Sequence, residues 1–235
     1  DLAAKGRGGP SALRGVSRLV ITGNAGTGGL SVALLLHELL RAYGKLGPIL
    51  VERSALSLLG DSSSSMCAKL QDICDSALGG MLILHEASAL AADVTAARVL
   101  SVALKALPSN TGVVLLGQHL ETASLLRLCP ALVSSVPSSI HLPNLTASQL
   151  AHHVAATAPQ CTGAPLGPGV LNELAEHIER HLSPQLDEQN LLLAEVLLQR
   201  ACGRYAMRSI PQDDAAGPPA DEAHRSVLLL ADFQE

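Results

Sequence analysis

Aromatic side chains are almost missing: the 235 residues hold two Tyr, one Phe and no Trp. Proteins that grip single-stranded nucleic acid stack its bases on such rings, so that partner is disfavoured. Runs of Lys or Arg are missing too, and the formal net charge is −5. Duplex binding draws most of its affinity from neutralised phosphates, so it is disfavoured as well. No C-x-x-C occurs. The five cysteines (Cys67, Cys74, Cys129, Cys161, Cys202) are scattered and odd in number. They read as buried apolar thiols of a reducing compartment, with no metal expected. No apolar run reaches the ~18 residues of a membrane-spanning helix. A starting Met is also lacking, since Asp1 comes first. An N-terminal part is therefore expected to be processed away or to lie outside the sequence, together with any targeting signal.

What is there is aliphatic. At 48% hydrophobic the chain can bury a sizeable core as one large domain or two modest ones. Residues 1–15 are broken by Gly and Pro and read as an arm. Over 16–145, short apolar stretches alternate with helical patterns. The stretches "VSRLVITG", "PILVERS", "GGMLILHEA", "TGVVLLGQ" and "SSIHLPNL" read as strands. Such alternation implies an α/β domain with a parallel sheet covered by helices on both faces. "GDSSSSM" reads as a low-complexity loop. Residues 146–210 are helical throughout, with "TASQ" and "SPQLDEQN" as N-caps, and read as a small all-α domain. One helix is expected to run through "DEQNLLLAEVLLQRACGRYAMR". Residues 211–235 read as a Pro/Asp/Gly/Ala-rich linker followed by the apolar "SVLLLADF", 226–233. That last segment needs cover, either in its own sheet or, as the favoured alternative, as a docking strand in a partner's.

The stretch "ITGNAGTGGLSVALLL", 21–36, has the rhythm of a phosphate-binding loop: strand end, glycine turn, helix. In G-x-x-x-x-G-K-[ST], Gly23 and Gly28 take the glycine places, with Gly26 and Thr27 between them. Gly29 and Leu30 stand where Lys and Ser or Thr belong. Gly29 offers no charge and Leu30 no oxygen. A charge-assisted hydrogen bond contributes about 1.5–3 kcal/mol, so the missing lysine alone weakens triphosphate binding by about one to two orders of magnitude. The backbone N–H groups of 25–30 at the helix N-terminus can still hold an anion. Weak nucleotide binding without Mg-ATP turnover is expected, and no resident cofactor.

The order and wording of these segments resemble the AAA+ ATPases of the red-type Rubisco activase kind and their stage V sporulation protein K-like relatives. "TGNAGTGGLSVALLLHELLRAYGKLG" lines up on that family's phosphate loop and first helix. "ALGGMLILHEASAL" lines up on its Walker B strand, and "GQHLETASLLRLCPALVSSVPSSIHLPNLTASQL" on its sensor-1 and arginine-finger segment. The resemblance covers about 16–208 and implies a P-loop NTPase fold: 16–145 the nucleotide-binding-type domain, 146–210 the helical lid. It also implies roles that this sequence does not fill. Walker B needs an Asp for Mg²⁺ and a Glu to activate water; here stand His85 and Glu86. Imidazole suits Mg²⁺ poorly, so the pair is either structural or a site for a softer metal. The finger arginines are replaced by Val133 and Ser135, the sensor-2 arginines by Leu192 and Glu195. The pore loop near "LLGDSSSS" has no aromatic residue to grip a peptide.

The resemblance thus implies the shape of a motor without its chemistry. The chain reads as a non-catalytic AAA+ pseudo-ATPase, a structural subunit in a protein assembly. The alternatives are a regulatory, non-catalytic subunit of a mixed ring with homologous AAA+ proteins, or a weak residual ATPase. A plastid or mitochondrion is the expected location. Three smaller motifs stay open at this level. "HIERH", 177–181, is either a two-histidine metal face or a solvated helix face. "HH" at 152–153 reads as surface. "NLT", 144–146, fits a glycosylation sequon, a use disfavoured without secretory signs.

Overall fold

Two short aliphatic runs of the sequence become interior strands of the sheet. β3 (Met81–His85, MLILH) and β4 (Gly112–Gly117, GVVLLG) are buried on both faces, as near-continuous apolar runs in parallel sheets are. The structure is a computed structural model, which describes residues 17–59, 62–209 and 227–234. β1 is Arg18–Thr22, β2 Leu50–Ser54 and β5 Ser138–His141. All pairings are parallel, in the order β2-β3-β4-β1-β5.

Side chains alternate between two cores. On one face Val20, Leu82, Leu84, Val113 and Leu115 pack with four helices: α2 (Ser63–Ser76), α3 (Val94–Ala106), α4 (His119–Leu128) and α5 (Pro130–Ser135). On the other, Leu19, Ile21, Met81, Ile83, Val114 and Leu116 pack with Ala33 and Leu40 of α1 (Gly29–Ala42). Among the described residues α1 is the helix on that face. A helix is about 10 Å across and strands are about 4.8 Å apart, so one helix shields about two of the five strands. Ile140 of β5 and Leu50 of β2 accordingly stay exposed.

The serine run expected to be a loop is largely helical. Ser63–Ser65 form the first turn of α2, and the Ser62 Oγ accepts from Ser65 N–H at 3.3 Å. Serine's short hydroxyl suits an N-cap, and low complexity hid a start signal.

The described chain divides into two compact units. The first runs to Gly23 and resumes at Gly28–Leu142; the second is Pro143 onward together with Asn24–Thr27. In the second, α6 (Ala147–Thr162) opens with a capping box: Thr146 Oγ accepts from Gln149 N–H, and Gln149 Oε1 accepts from Thr146 N–H. α7 (Val170–His181), α8 (Ser183–Gln189) and α9 (Leu191–Ser209) follow. The single helix expected through 187–208 is broken. Asn190 has φ +49° and is fully buried, a conformation that ends α8 and restarts the chain as α9.

The expectation that 226–233 docks in a partner's sheet is corrected as well. Ser226 and the linker 211–225 lie outside the described residues. The rest of the segment folds onto the helices of its own unit. Leu228 forms a bridge with Leu166, its N–H donates to Pro165 O, and its O accepts from Gly167 N–H. Leu228 and Phe233 are fully buried. Asp232, also buried, pairs with Arg208 at 2.7 Å and accepts from Leu229 N–H. The apolar cover the segment needs is therefore supplied by α6, α7 and α9.

His177 and His181 lie one turn apart on α7, ring centroids 5.0 Å apart. Burial, then the charge of His181, pushes the His177 pKa down. The unfolded chain therefore binds the proton more tightly, and stability is lost as pH falls through the ordinary histidine value of about 6.5. Denaturant melts at about pH 7.5 and about pH 5 are expected to show a less stable helical unit at the lower pH. His177→Gln is expected to remove part of that difference.

Candidate functional site

The phosphate-loop segment is split between the two units. Gly28 is the N-cap of α1, with φ +87° and no side-chain cap. Gly29 opens the helix. A Cβ there would meet the Ile21 and Leu116 side chains at 3.8 Å and that of Leu142 at 4.0 Å. The place where the sequence pattern wants a lysine thus opens onto aliphatic carbon. Leu30, where a magnesium-holding hydroxyl is wanted, packs into the apolar core beneath α1. At the other end, Gly23 N–H donates to Gly117 O at 3.2 Å.

The loop tip Asn24–Thr27 belongs to the helical unit, and a net of amide side chains holds it there. Asn24 Nδ2 donates to Asn144 Oδ1 at 2.9 Å. Asn190 Nδ2 donates to Ala25 O at 3.1 Å and to Asn144 Oδ1 at 3.3 Å, while its Oδ1 accepts from Leu145 N–H at 2.9 Å. Asn144 Nδ2 donates to Asp187 Oδ1 at 3.2 Å. Leu191 N–H, the first of α9, donates to Gly26 O at 3.1 Å. Thr27 closes the turn on itself, its N–H and Oγ both donating to Asn24 O. Two members of the sequon 144–146 are thus structural: Asn144 in this net, Thr146 as a helix cap.

His85 and Glu86 sit at the carboxyl end of β3 but do not converge. His85 Nε2 lies 2.7 Å from Glu52 Oε1 on β2, in ion-pair range but off the direction of a hydrogen bond. Glu86 has φ +54°, and its Oε2 accepts from Ser54 Oγ at 2.5 Å. With Arg53 these side chains line a shallow cavity of about 450 Å³. Among the described residues no three His, Cys, Asp or Glu side chains are placed to hold a metal ion. The soft-metal alternative for His85 and Glu86 therefore has no third ligand.

Val133 projects from α5 into solvent. Ser135 is turned inward, its Oγ donating to Ala131 O at 3.3 Å. An arginine at 133 would be free to reach out; one at 135 would displace core. On α9, Leu192 and Glu195 are exposed. Of the pore-loop stretch, 60–61 lie outside the described residues, and Leu58 is buried.

Sequence reasoning passed over one cluster. Thr22, the last residue of β1, is buried, with its hydroxyl 3.3 Å from His119 Nδ1 and 3.2 Å from His141 Nδ1. The two rings are tilted, centroids 4.5 Å apart. One hydroxyl proton cannot serve two Nδ1 acceptors. At least one ring therefore carries its proton on Nδ1 and donates to the hydroxyl oxygen, which has two lone pairs to accept with. The available signal was position: all three lie just at or beyond the carboxyl ends of adjacent strands, where open α/β sheets bind ligands.

A five-stranded parallel sheet in the order 2-3-4-1-5, with a glycine loop after β1 and a helical unit after β5, is the AAA+ fold of the P-loop NTPases. No protein-family model matches the sequence, and no curated protein matches it. Solved structures do match. NtrX from Brucella abortus in complex with ATP superposes with a TM-score of 0.60 at 16% identity, over 95% of this chain and 53% of that one. Domain III of the Thermotoga maritima replication initiation protein DnaA gives 0.59 at 16%, over 92% and 83%. Katanin, from a structure of its self-assembly, gives 0.56 at 15%, over 92% and 68%. The chain thus spans between half and five-sixths of these neighbours' lengths, and the likeness is one of fold.

Proposed function

We propose that this chain is a catalytically inactive AAA+ pseudo-ATPase that serves as a structural subunit of a larger protein assembly, akin to the red-type Rubisco activases and their stage V sporulation protein K-like relatives. The observation that carries the reading is the surroundings of Gly29 and Leu30. At the lysine place a Cβ would meet the aliphatic carbons of Ile21, Leu116 and Leu142, and Leu30 is a partly buried side chain packed against the core. Nothing between Thr22 and Leu30 bears a positive charge, and a phosphoryl-transfer site is mostly positioning and charge stabilisation. His85 in place of the metal-holding carboxylate, and Val133 and Ser135 in place of the finger, point the same way. The kinship rests on three sequence segments occurring in the family's order, and an organellar location goes with it.

The structural role is supported by apolar surface that a free-standing subunit has no use for. Leu35, Leu39 and Tyr43 recur at i, i+4, i+8 along α1 and are 64%, 50% and 64% exposed. Val102, Leu120 and Met207 are exposed as well. Calorimetry with MgATP is the test. Binding weaker than about 1 mM is expected, with no turnover above background and no change on Glu86→Gln. Tight binding with turnover abolished by Glu86→Gln would refute the proposal.

A further inference from the structure

Phosphate-binding loops are glycine-rich and turn their backbone N–H groups toward the anion they hold. The loop tip of this chain is organised differently. Ala25 O and Gly26 O, consecutive carbonyls at its apex, are each taken by a group of the helical unit, Asn190 Nδ2 and Leu191 N–H. Asn24 is held through Asn144. Asn190, at the centre, is fully buried, keeps φ +49°, and makes three hydrogen bonds with its side chain. A buried amide pays off only if its donors and acceptor are satisfied, and two of the three partners here are Ala25 itself and Asn144, which holds Asn24.

We propose that Asn190 is a positioning residue that fastens the tip Asn24–Thr27 to the helical unit, so that the loop has become a fixed structural element that keeps its conformation with no phosphate present. The inference concerns the loop's order and stands apart from whether the chain hydrolyses ATP. Turnover assays can fail the functional proposal without touching it, and the reverse holds too.

Amide hydrogen exchange on the whole chain, free of nucleotide, tests it. Thr27, Leu145 and Leu191 N–H groups all donate within the net. They are expected to exchange about a hundredfold slower than in a free peptide. Sodium pyrophosphate is expected to change Thr27 and Leu191 by less than about twofold. Two variants separate the side chain's two ends. Asn190→Asp keeps the acceptor for Leu145 N–H but loses both donated bonds, so Thr27 and Leu191 speed up about tenfold or more while Leu145 stays slow. Asn190→Gly tolerates the positive φ and removes the whole amide, so all three speed up. Several results would overturn the proposal: free-peptide rates in the wild type, protection that appears only with pyrophosphate, unchanged Thr27 and Leu191 in both variants, or equal acceleration throughout α6, α7 and α9.

Discussion

Gly26→Ala is expected to destabilise the helical unit by about 3 kcal/mol or more, against about 1–2 kcal/mol for Gly28→Ala. Both glycines are left-handed, with φ +72° and +87°, so both substitutions carry the conformational cost of a Cβ in that region. They differ in surroundings. A Cβ on Gly28 meets nothing within 4 Å. A Cβ on Gly26 would overlap the Gln189 carbonyl oxygen, with Leu191 N and Leu192 N at 3.0 and 3.2 Å behind it. All three are backbone atoms at the α8–α9 junction, which cannot swing aside as a side chain would. Urea melts of the two variants compare the costs directly. Equal losses would mean that Gly26 is not packed against that junction.

Packing alone gives Gly26 a reason to be glycine, independent of any phosphate. Read in the sequence, Gly26 belongs to a phosphate loop; in the fold its lack of a side chain is demanded by the peptide bonds of 189–192. The residues that carry charge in a working loop have no such second employment. The three nearest neighbours of a Cβ at the lysine place are aliphatic carbons, and the hydroxyl place holds a partly buried leucine packed against the core.

The sheet was legible because its signal is local. Short aliphatic runs bounded by glycine and proline, alternating with helical spacing, specify parallel strands with little competition. All five strands lie within the expected stretches, as does the cap at Thr146; the cap expected in SPQLDEQN is not made, since Ser183 is the first residue inside α8 and Leu182 before it offers no capping side chain. The candidate loop was legible for the same reason. Three features were not, because each depends on residues distant in sequence. The break at Asn190 was hidden inside a good helical pattern, since the amide's partners, Ala25, Asn144 and Leu145, lie 165, 46 and 45 residues away. The Thr22, His119 and His141 cluster joins the ends of three elements. The separation of His85 from Glu86 follows from which neighbour each finds on β2, Glu52 or Ser54, and neither contact has a sequence signature.

Loss of the C-terminal segment is expected to have the largest effect on the isolated chain. Phe233, the one phenylalanine of the sequence, is fully buried among the helices of its unit, so Phe233→Ala is expected to cost about 3–5 kcal/mol through lost transfer energy and the cavity left behind. Asp232→Ala removes the carboxylate that pairs with Arg208 at 2.7 Å and accepts from Leu229 N–H, and is expected to cost about 1–3 kcal/mol. Truncation before Val227 removes both, together with the Leu228 bridge to Leu166, and exposes the apolar faces of α6, α7 and α9. A segment that served a partner alone would leave the melting of the purified chain untouched and weaken only its incorporation into an assembly. Thermal melts of the wild type, Phe233→Ala and the truncated chain therefore discriminate the two roles. A drop of several degrees for Phe233→Ala and a broad or absent transition for the truncation are expected, and unchanged melting of both would return the segment to the role of a docking strand.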